Sequence, residues 1–242
     1  MTEVRTRAHR RTAGGRRGLV IAIDGPSASG KTSVGREVAR RLGYAFLDTG
    51  NIYRALTWLA LQRGIDARDE EGLAALARAT EVVLTGPDTG APEPSTILMD
   101  GHDVTPHLRR PEVEAVVSQV SRVPAVRQAL LEVQRRLARD GGIVMAGRDI
   151  GTVVLPNADL KVYLDASPEE RARRRYLEMR QQGRQVSLEQ VARELAVRDE
   201  TDSRREAAPL RPAEDAVIVQ TDGLTLAQVV ARVMELVEAR LA

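Results

Sequence analysis

Apolar runs alternate with helically spaced apolar residues over the first quarter of the chain. Residues 18–24 form an almost continuous apolar run, which is typical of a strand buried on both faces of a parallel sheet. A helical pattern follows over residues 31–42, and Gly43 is placed to end that helix. A second strand at 45–48 and a second helix at 52–63 repeat the order. This alternation predicts a doubly wound α/β core.

The middle of the chain breaks this alternation. Two short apolar segments, 82–85 and 96–99, flank a loop rich in Gly and Pro. A turn at Asp100-Gly101 follows the second segment. Short apolar segments separated by such turn residues predict a small antiparallel β insert.

The strand and helix pattern then resumes. Helices are predicted over residues 111–122, 124–139, 187–205 and 226–241, and buried strands over 142–146, 160–164 and 216–219. Ser167 begins a further, Arg-rich helix, and Glu170 lies three positions on, which is the spacing of a capping box. Gly183 separates this helix from the next one, so we expect a hinge there.

Composition narrows the class of protein. The chain has 242 residues, 43% hydrophobic and 29% charged, which suits one globular domain with room for a small insert. No apolar run is long enough to cross a bilayer, and none follows the basic N-terminus as a signal peptide requires. Cysteine is absent, which excludes disulfides and thiolate chemistry. We expect a cytoplasmic protein with no membrane partner.

The basic character of the chain does not predict nucleic-acid binding. The pI is about 9.3 but the formal net charge is only +2, and Lys31 and Lys161 are the only lysines among many arginines. Nucleic-acid binding usually needs a larger, clustered excess, and aromatic residues at 2% are too few for base stacking. Residues 1–17 lack apolar periodicity, so we expect a disordered basic tail ahead of a core at 18–242.

The sharpest motif lies between the first strand and the first helix. It reads Gly25, Pro26, Ser27, Ala28, Ser29, Gly30, Lys31 and Thr32, which fits G-x-x-x-x-G-K-[ST] in the required strand–helix context. Backbone N–H groups of such a loop surround phosphate oxygens at the positive end of the helix. Lys31 would reach the β and γ oxygens and the Thr32 hydroxyl would bind Mg²⁺. We assign this loop and Ser33 to ATP binding.

Several kinds of nucleotide-binding protein use this loop. A GTPase is disfavoured because no Asn-Lys-x-Asp motif is present. A motor or AAA-type ATPase stays open, since residues 160–165 could imitate its metal-holding strand. A small kinase must neutralise two sets of phosphates that repel each other. Polar clusters with arginines follow the predicted strands at 48–54 and 147–152 and precede the last one at 198–205.

These segments together resemble a known family. They are Gly25–Thr32, Leu47-Asp-Thr-Gly with Tyr53-Arg54, Ser118-Gln-Val, Gly147-Arg-Asp-Ile-Gly-Thr-Val-Val, Leu164-Asp-Ala-Ser with Glu170-Arg171, and Arg198-Asp with Ala208-Pro-Leu. From about Leu19 to its C-terminus the chain is similar to bacterial cytidylate kinase, a nucleoside monophosphate kinase. Thr49 is a departure, because Ser is common at that position in the family.

The resemblance implies a fold and an activity. The fold is a five-stranded parallel sheet of order 2-3-1-4-5, with an acceptor-binding β insert at 65–115 and a helical lid at 167–205. The activity is transfer of the γ-phosphoryl group of ATP to CMP and dCMP, with Mg²⁺ as cofactor, by a monomer. UMP, AMP or a metabolite such as shikimate remain alternative acceptors, and a nucleotide sensor without turnover is a third hypothesis.

The resemblance also implies roles for single residues. Cytosine contacts fall on Thr49, Arg127, Asp149 and Arg205; phosphate contacts on Arg54 and Arg148; sugar contacts on Ser118, Arg198 and Asp202; and Tyr53 packs beside CMP. Asp149 could accept from the cytosine amino group, where uracil has a carbonyl. Lys31, Arg148 and Arg175 are the predicted catalytic residues, and Arg171 and Arg175 are expected to close over ATP. The other arginines of this helix should pair with Glu side chains, and the three histidines should be surface residues.

Overall fold

A five-stranded sheet and a three-stranded sheet are present in the computed structural model, which describes residues 17–85, 95–204 and 209–242. The strands are β1 (Val20–Asp24), β2 (Ala45–Asp48), β3 (Val82–Leu84), β4 (Ile97–Met99), β5 (His102–Asp103), β6 (Ile143–Gly147), β7 (Leu160–Asp165) and β8 (Val217–Gln220). The larger sheet has the order β2-β6-β1-β7-β8, which confirms the predicted order 2-3-1-4-5. The smaller sheet has the order β3-β4-β5. Most of the expected N-terminal tail, at 1–16, and Arg205 lie outside the described residues.

Helices lie between and after these strands, singly or in consecutive pairs. They are α1 (Lys31–Leu42), α2 (Thr49–Gln62), α3 (Glu70–Ala79), α4 (Pro111–Val120), α5 (Pro124–Ala138), α6 (Pro168–Gln181), α7 (Leu188–Ser203) and α8 (Leu226–Leu241). A 3₁₀ turn covers Thr105–His107 and a short π-helix covers Ile150–Val154. Over the described ranges, no helix combines the length and apolar character that a membrane span needs.

The chain divides into two compact units. The first unit comprises Ala39–Ile143 and the described residues up to Leu19. The second unit comprises Val20–Val38 and the described part of Val144–Ala242. The motif loop at residues 25–30 therefore belongs to the second unit, and the small antiparallel sheet belongs to the first.

In the second unit, β1 explains the first apolar run. All five residues of β1 are buried, and the strand pairs in parallel with β7 in a register that places Asp24 opposite Tyr163. The next strand, β8, pairs in parallel with β7 and places Gln220 opposite Asp165. A strand with a parallel neighbour and helices above and below it has no face for polar side chains, so the alternation of an exposed strand is missing.

Helices α6 and α7 pack together in the second unit. Their shared core consists of Ala172, Met179, Val191 and Leu195, and Ala28 of the motif loop packs against it. Ser167 caps α6 through Glu170 N, as predicted, but the reciprocal half of the capping box is wrong. The Ser167 N–H donates to the Asp222 carboxylate at 2.9 Å, because both Glu170 oxygens accept from arginines of α6.

In the first unit, the small sheet is antiparallel as expected. Val82 lies opposite Met99, and Met99 lies opposite His102 of the extra strand β5. Helix α3, which was not predicted, packs against α5. Its buried residues are Leu73, Ala74, Leu76 and Ala77, and Asp69 caps its first turn.

An aromatic stack in the first unit corrects one expectation. His107 is half-buried and stacks on Trp58, with ring centroids 4.7 Å apart and planes 7° from parallel. The indole Nε1 and the imidazole Nδ1 are both buried and make no hydrogen bond within the described ranges. His107 is therefore a packing residue and not the surface residue that was expected.

Candidate active site

The loop between β1 and α1 has the backbone that the motif requires. Gly25 and Gly30 have φ angles of +152° and +95°, which L side chains rarely adopt. A Cβ added to Gly25 would lie 2.2 Å from the carbonyl oxygen of Leu164, so a larger residue would clash with backbone. Ala28 lies between the two glycines with a left-handed φ of +62°. Strain of this kind is typical of loops that hold a ligand.

Polar groups of this loop suit a bound anion. Lys31 Nζ donates to the Pro26 carbonyl at 2.8 Å, which holds the ammonium group at the loop. Ser29 is only 1% exposed, and its hydroxyl has no hydrogen-bond partner within the described ranges. The first turn of α1 has no acidic side chain, so the positive end of the helix is not neutralised from within. A phosphate chain would satisfy these groups.

Arg148 joins this loop to the predicted acceptor residues of the second unit. It follows β6, and its Nη2 donates to the Ser27 hydroxyl at 2.8 Å. Its Nε forms a short ion pair with Asp202 of α7, and Asp202 is 1% exposed. The structure thus brings together three predicted site residues that are far apart in sequence. A guanidinium beside a phosphate loop can neutralise phosphate oxygens from two nucleotides.

Two arginines of α6 bind backbone oxygens of the loop. Arg171 is 6% exposed and donates to the Ser27 carbonyl at 3.3 Å. It also forms an ion pair with Asp199 of α7 at 2.6 Å, beside a cavity of about 290 Å³. Arg174 donates to the Ser29 carbonyl at 3.4 Å. Both guanidinium groups therefore connect α6 to the motif loop.

The other predicted residues of the second unit are more dispersed. Arg175 pairs with Glu178 at 2.8 Å, as expected for the charged face of α6, and no bond joins it to the loop within the described chain. Arg198 is exposed on α7, Ser33 is exposed on α1, and Thr32 is half-buried. Asp149 follows Arg148 directly and is half-buried.

The first unit contains a second group of predicted residues. Thr49 is 7% exposed at the first position of α2. The Arg127 guanidinium lies 5.8 Å from the centre of the Tyr53 ring, within range of a cation–π contact. Arg127 also donates to the Ser121 carbonyl at 3.5 Å. An arginine held against a tyrosine face offers a flat, positive surface to a base.

Arg54 has a carboxylate partner in this unit. Its Nε donates to Glu114 Oε1 at 2.9 Å, and Arg109 lies 3.5 Å from the same oxygen. Burial raises the pKa of Glu114, but the hydrogen bond from Arg54 and the charges of both arginines outweigh burial and hold the pKa below its usual range. Ser118 is exposed on α4, the helix that carries Glu114.

The sequence reasoning missed three residues at these sites. Asp24 accepts two backbone hydrogen bonds from the segment after Arg148, and an Asp that ends a buried strand beside the motif is the signal that was available. Arg174 lies three positions after Arg171, which places both on one face of α6. Glu114 carried no signal in the sequence, because its pairing with Arg54 depends on how α4 packs against α2.

Similarity to known proteins agrees with this geometry. The family model for cytidylate kinase matches residues 21–239. A cytidylate kinase from Geobacillus sp. strain WCH70 is 46% identical over 93% of this chain and 99% of its own length. A cytidylate kinase from Symbiobacterium thermophilum is 49% identical over 91% of this chain and 96% of its own length.

Some relatives are longer proteins. A bifunctional pantoate ligase/cytidylate kinase from Synechococcus sp. strain JA-3-3Ab is 52% identical over 92% of this chain. The chain spans 41% of that relative and 39% of a second bifunctional relative. The family match covers most of the chain and includes the motif loop, Arg148 and helices α6 and α7. The chain belongs to the cytidylate kinase family.

Proposed function

We propose that the chain transfers the γ-phosphoryl group of ATP to CMP and dCMP, giving CDP and dCDP. One observation supports this most strongly: the Arg148 guanidinium contacts both Ser27 of the phosphate loop and Asp202, a predicted acceptor residue. A kinase for a nucleoside monophosphate must hold the donor and acceptor phosphates close together against their repulsion. An arginine shared by the two sets of residues meets that requirement.

In this proposal ATP binds at the loop of the second unit. The residues assigned to ATP are Gly25, Pro26, Ser27, Ala28, Ser29, Gly30, Lys31, Thr32 and Ser33. Lys31 neutralises the β and γ oxygens, and Arg171 acts by holding the loop through the Ser27 carbonyl. Arg175 reaches the triphosphate when the lid at 167–205 closes about Gly183, which excludes water as a competing acceptor.

Mg²⁺ fits the oxygen groups at this site. Within the described chain there is no cluster of three His, Cys, Asp or Glu residues able to hold a metal ion on its own. Magnesium retains waters and binds nucleotide phosphates readily, so one hydroxyl from Thr32 suits it as a protein ligand. The bound ion would neutralise charge that develops on the phosphates.

The residues that we assign to CMP are Thr49, Tyr53, Arg54, Ser118, Arg127, Arg148, Asp149, Arg198, Asp202 and Arg205. Asp149 accepts from the cytosine amino group, Arg127 and Arg205 donate to the base, and Arg54 and Arg148 bind the phosphate. No general base is needed, because the attacking atom is already a phosphate oxyanion.

A product assay tests the acceptor. The protein is incubated with ATP, Mg²⁺ and one of CMP, dCMP, UMP or AMP, and the diphosphate product is quantified. CDP and dCDP should form fastest, and Asp149→Asn should reduce the preference for CMP over UMP, because an amide also offers a donor to the uracil carbonyl. Equal rates with AMP would contradict the acceptor assignment, and tight ATP binding without any diphosphate would indicate a sensor.

We further propose that the protein acts as a monomer in the cytoplasm, where ATP is available. Sedimentation at several protein concentrations tests the first part. A single species of about the chain mass of 26.5 kDa is expected.

A further inference from the structure

Asp24 ends β1 with its side chain buried, and both carboxylate oxygens are used. The residue is 4% exposed. Its Oδ1 accepts from the Ile150 N–H at 2.8 Å, and its Oδ2 accepts from the Gly151 N–H at 2.7 Å. Ile150 and Gly151 are the first two residues of the π-helix. The carboxylate therefore holds two successive amides at the start of an irregular helical turn.

This turn begins immediately after Arg148 and Asp149. The backbone that Asp24 holds is thus the backbone that directs these two side chains, which the proposed function assigns to CMP. Arg148 Nη2 donates to the Ser27 hydroxyl at 2.8 Å, and Arg148 Nε forms a short ion pair with Asp202. Both contacts depend on the position of the Arg148 Cα atom. A shift of this turn would move the guanidinium away from both partners.

Space around the carboxylate is restricted. A Cβ added to Gly151 would lie 3.3 Å from Asp24 Oδ2 and 3.1 Å from Lys161 Cδ. Both separations are tighter than ordinary van der Waals contact, so glycine lets the turn approach the carboxylate. The turn and the end of β1 fit together closely at this point.

Burial makes the ionised form of the Asp24 carboxyl group unfavourable in free energy. Burial raises its pKa to about 6, and the charge of Asp149 adds to this effect, whereas the two N–H groups and Lys31 act against it. Groups whose pKa is shifted by burial and by nearby charges are common at functional sites.

We propose that Asp24 is a positioning residue for the acceptor: its carboxylate fixes the turn that presents Arg148 and Asp149, and it contacts neither nucleotide. The inference rests on the proposed role of those two residues in CMP binding. The role proposed for Asp24 therefore differs from that of the motif loop, which begins at the next residue and is assigned to ATP.

The test compares Asp24→Asn with Asp159→Asn. Asp159 Oδ2 accepts from the Val20 N–H at 2.7 Å, so the control makes the same chemical change at the opposite end of β1. Asp24→Asn replaces one acceptor oxygen with an NH₂ group that faces an N–H donor. The KM for CMP should rise about tenfold, the order of one lost hydrogen bond to a charged group, with the KM for ATP changed less than about twofold. Asp159→Asn should leave both values near wild type.

A second variant changes the turn that Asp24 holds and leaves Asp24 itself in place. Gly151→Ala adds a methyl group against Asp24 and should also raise the KM for CMP selectively, so the proposal can be tested even if Asp24→Asn folds poorly. Equal increases in both KM values, or no change with CMP in either variant, would overturn the positioning role. If the wild-type protein does not phosphorylate CMP, the proposed function itself fails, which is a separate result.

Discussion

Arg171→Ala removes a buried guanidinium that joins the motif loop to helix α7. The Arg171 side chain is 7% exposed and pairs with Asp199 at 2.6 Å. It also donates to the Ala166 carbonyl at 3.1 Å and to the Ser27 carbonyl at 3.3 Å. The other Asp199 oxygen is buried and has no partner within the described ranges, so Arg171 is the group that balances this carboxylate in the described contacts.

The size of the effect follows from these contacts. Removing one member of a buried ion pair costs about 3–5 kcal/mol, because the remaining charge is left without compensation. Asp199 keeps 23% of its side-chain surface exposed, so water offsets part of this loss and we expect about 3 kcal/mol. For a chain of this length about 1 kcal/mol lowers the melting temperature by about 2–4 °C, which gives a decrease of roughly 6–12 °C.

Arg173 provides the matched control on the same helix. Its side chain is 58% exposed, and its described hydrogen bonds go to Glu170. Arg173→Ala should therefore melt close to wild type by far-UV circular dichroism. Arg171→Ala should also raise the KM for ATP, since the Ser27 carbonyl loses a donor and the loop is held less firmly. Arg171→Lys should be intermediate, because one ammonium cannot reproduce the planar guanidinium contacts.

Two results would refute this reasoning. Equal melting temperatures for the Arg171→Ala and Arg173→Ala variants would show that the buried pair does not stabilise the packing of α6 on α7. A large decrease in melting temperature with an unchanged KM for ATP would show that the contact with Ser27 has no part in ATP binding.

Three further predictions concern the charge of the site. Lys31→Ala should lower kcat by on the order of 10³, because the charge that stabilises the phosphates is lost. The melting temperature should change little, because the hydrogen bond from Lys31 Nζ to the Pro26 carbonyl lies within the loop, and a near-normal rate would contradict the assignment of Lys31. Because the folded pKa of Asp24 is raised from 3.8 to about 6, this group favours the folded state most below about pH 4, and that contribution, about 3 kcal/mol, is lost as the pH rises through 6. The difference in urea stability between wild type and Asp24→Asn, measured from pH 4 to 7, should show this slope, and a flat difference would argue against it. Glu114→Gln should lower the KM for CMP about threefold, because the carboxylate competes with phosphate for Arg54; Glu112→Gln, whose partner is Arg110 at 3.7 Å, is the control, and a change shared by both would reject competition.

The order of the elements could be predicted because it depends on local pattern. The buried run of β1 and the glycines of the loop are visible in the chain itself, and the motif fixes the residues that follow. The strand order of the sheet came from the resemblance to a family. Helix α3 was missed although Asp69 caps it and its buried residues, Leu73, Ala74, Leu76 and Ala77, have helical spacing. Helix α2 begins at Thr49, not at 52, because Asp48 caps it through the Gly50 N–H.

For the site residues too, the sequence predicts which positions take part but not the contacts that depend on packing. The resemblance predicted roles for Arg148 and Asp202, but not their ion pair, since that contact joins positions that are 54 residues apart. Arg171 was expected to close over ATP, which stays a prediction, and its described contacts are with Asp199 and the carbonyls of Ser27 and Ala166. Which arginine of an Arg-rich helix faces inward depends on how that helix packs, and side-chain spacing alone leaves several choices open.

The stack between Trp58 and His107 has a practical consequence. Trp58 is the only tryptophan in the chain and lies one helical turn after Arg54 on α2. Its ultraviolet emission is therefore an intrinsic optical signal from a single known place, and no label or engineered probe is required. If CMP binding alters the surroundings of α2, a titration with CMP would change the wavelength or the intensity of the Trp58 emission.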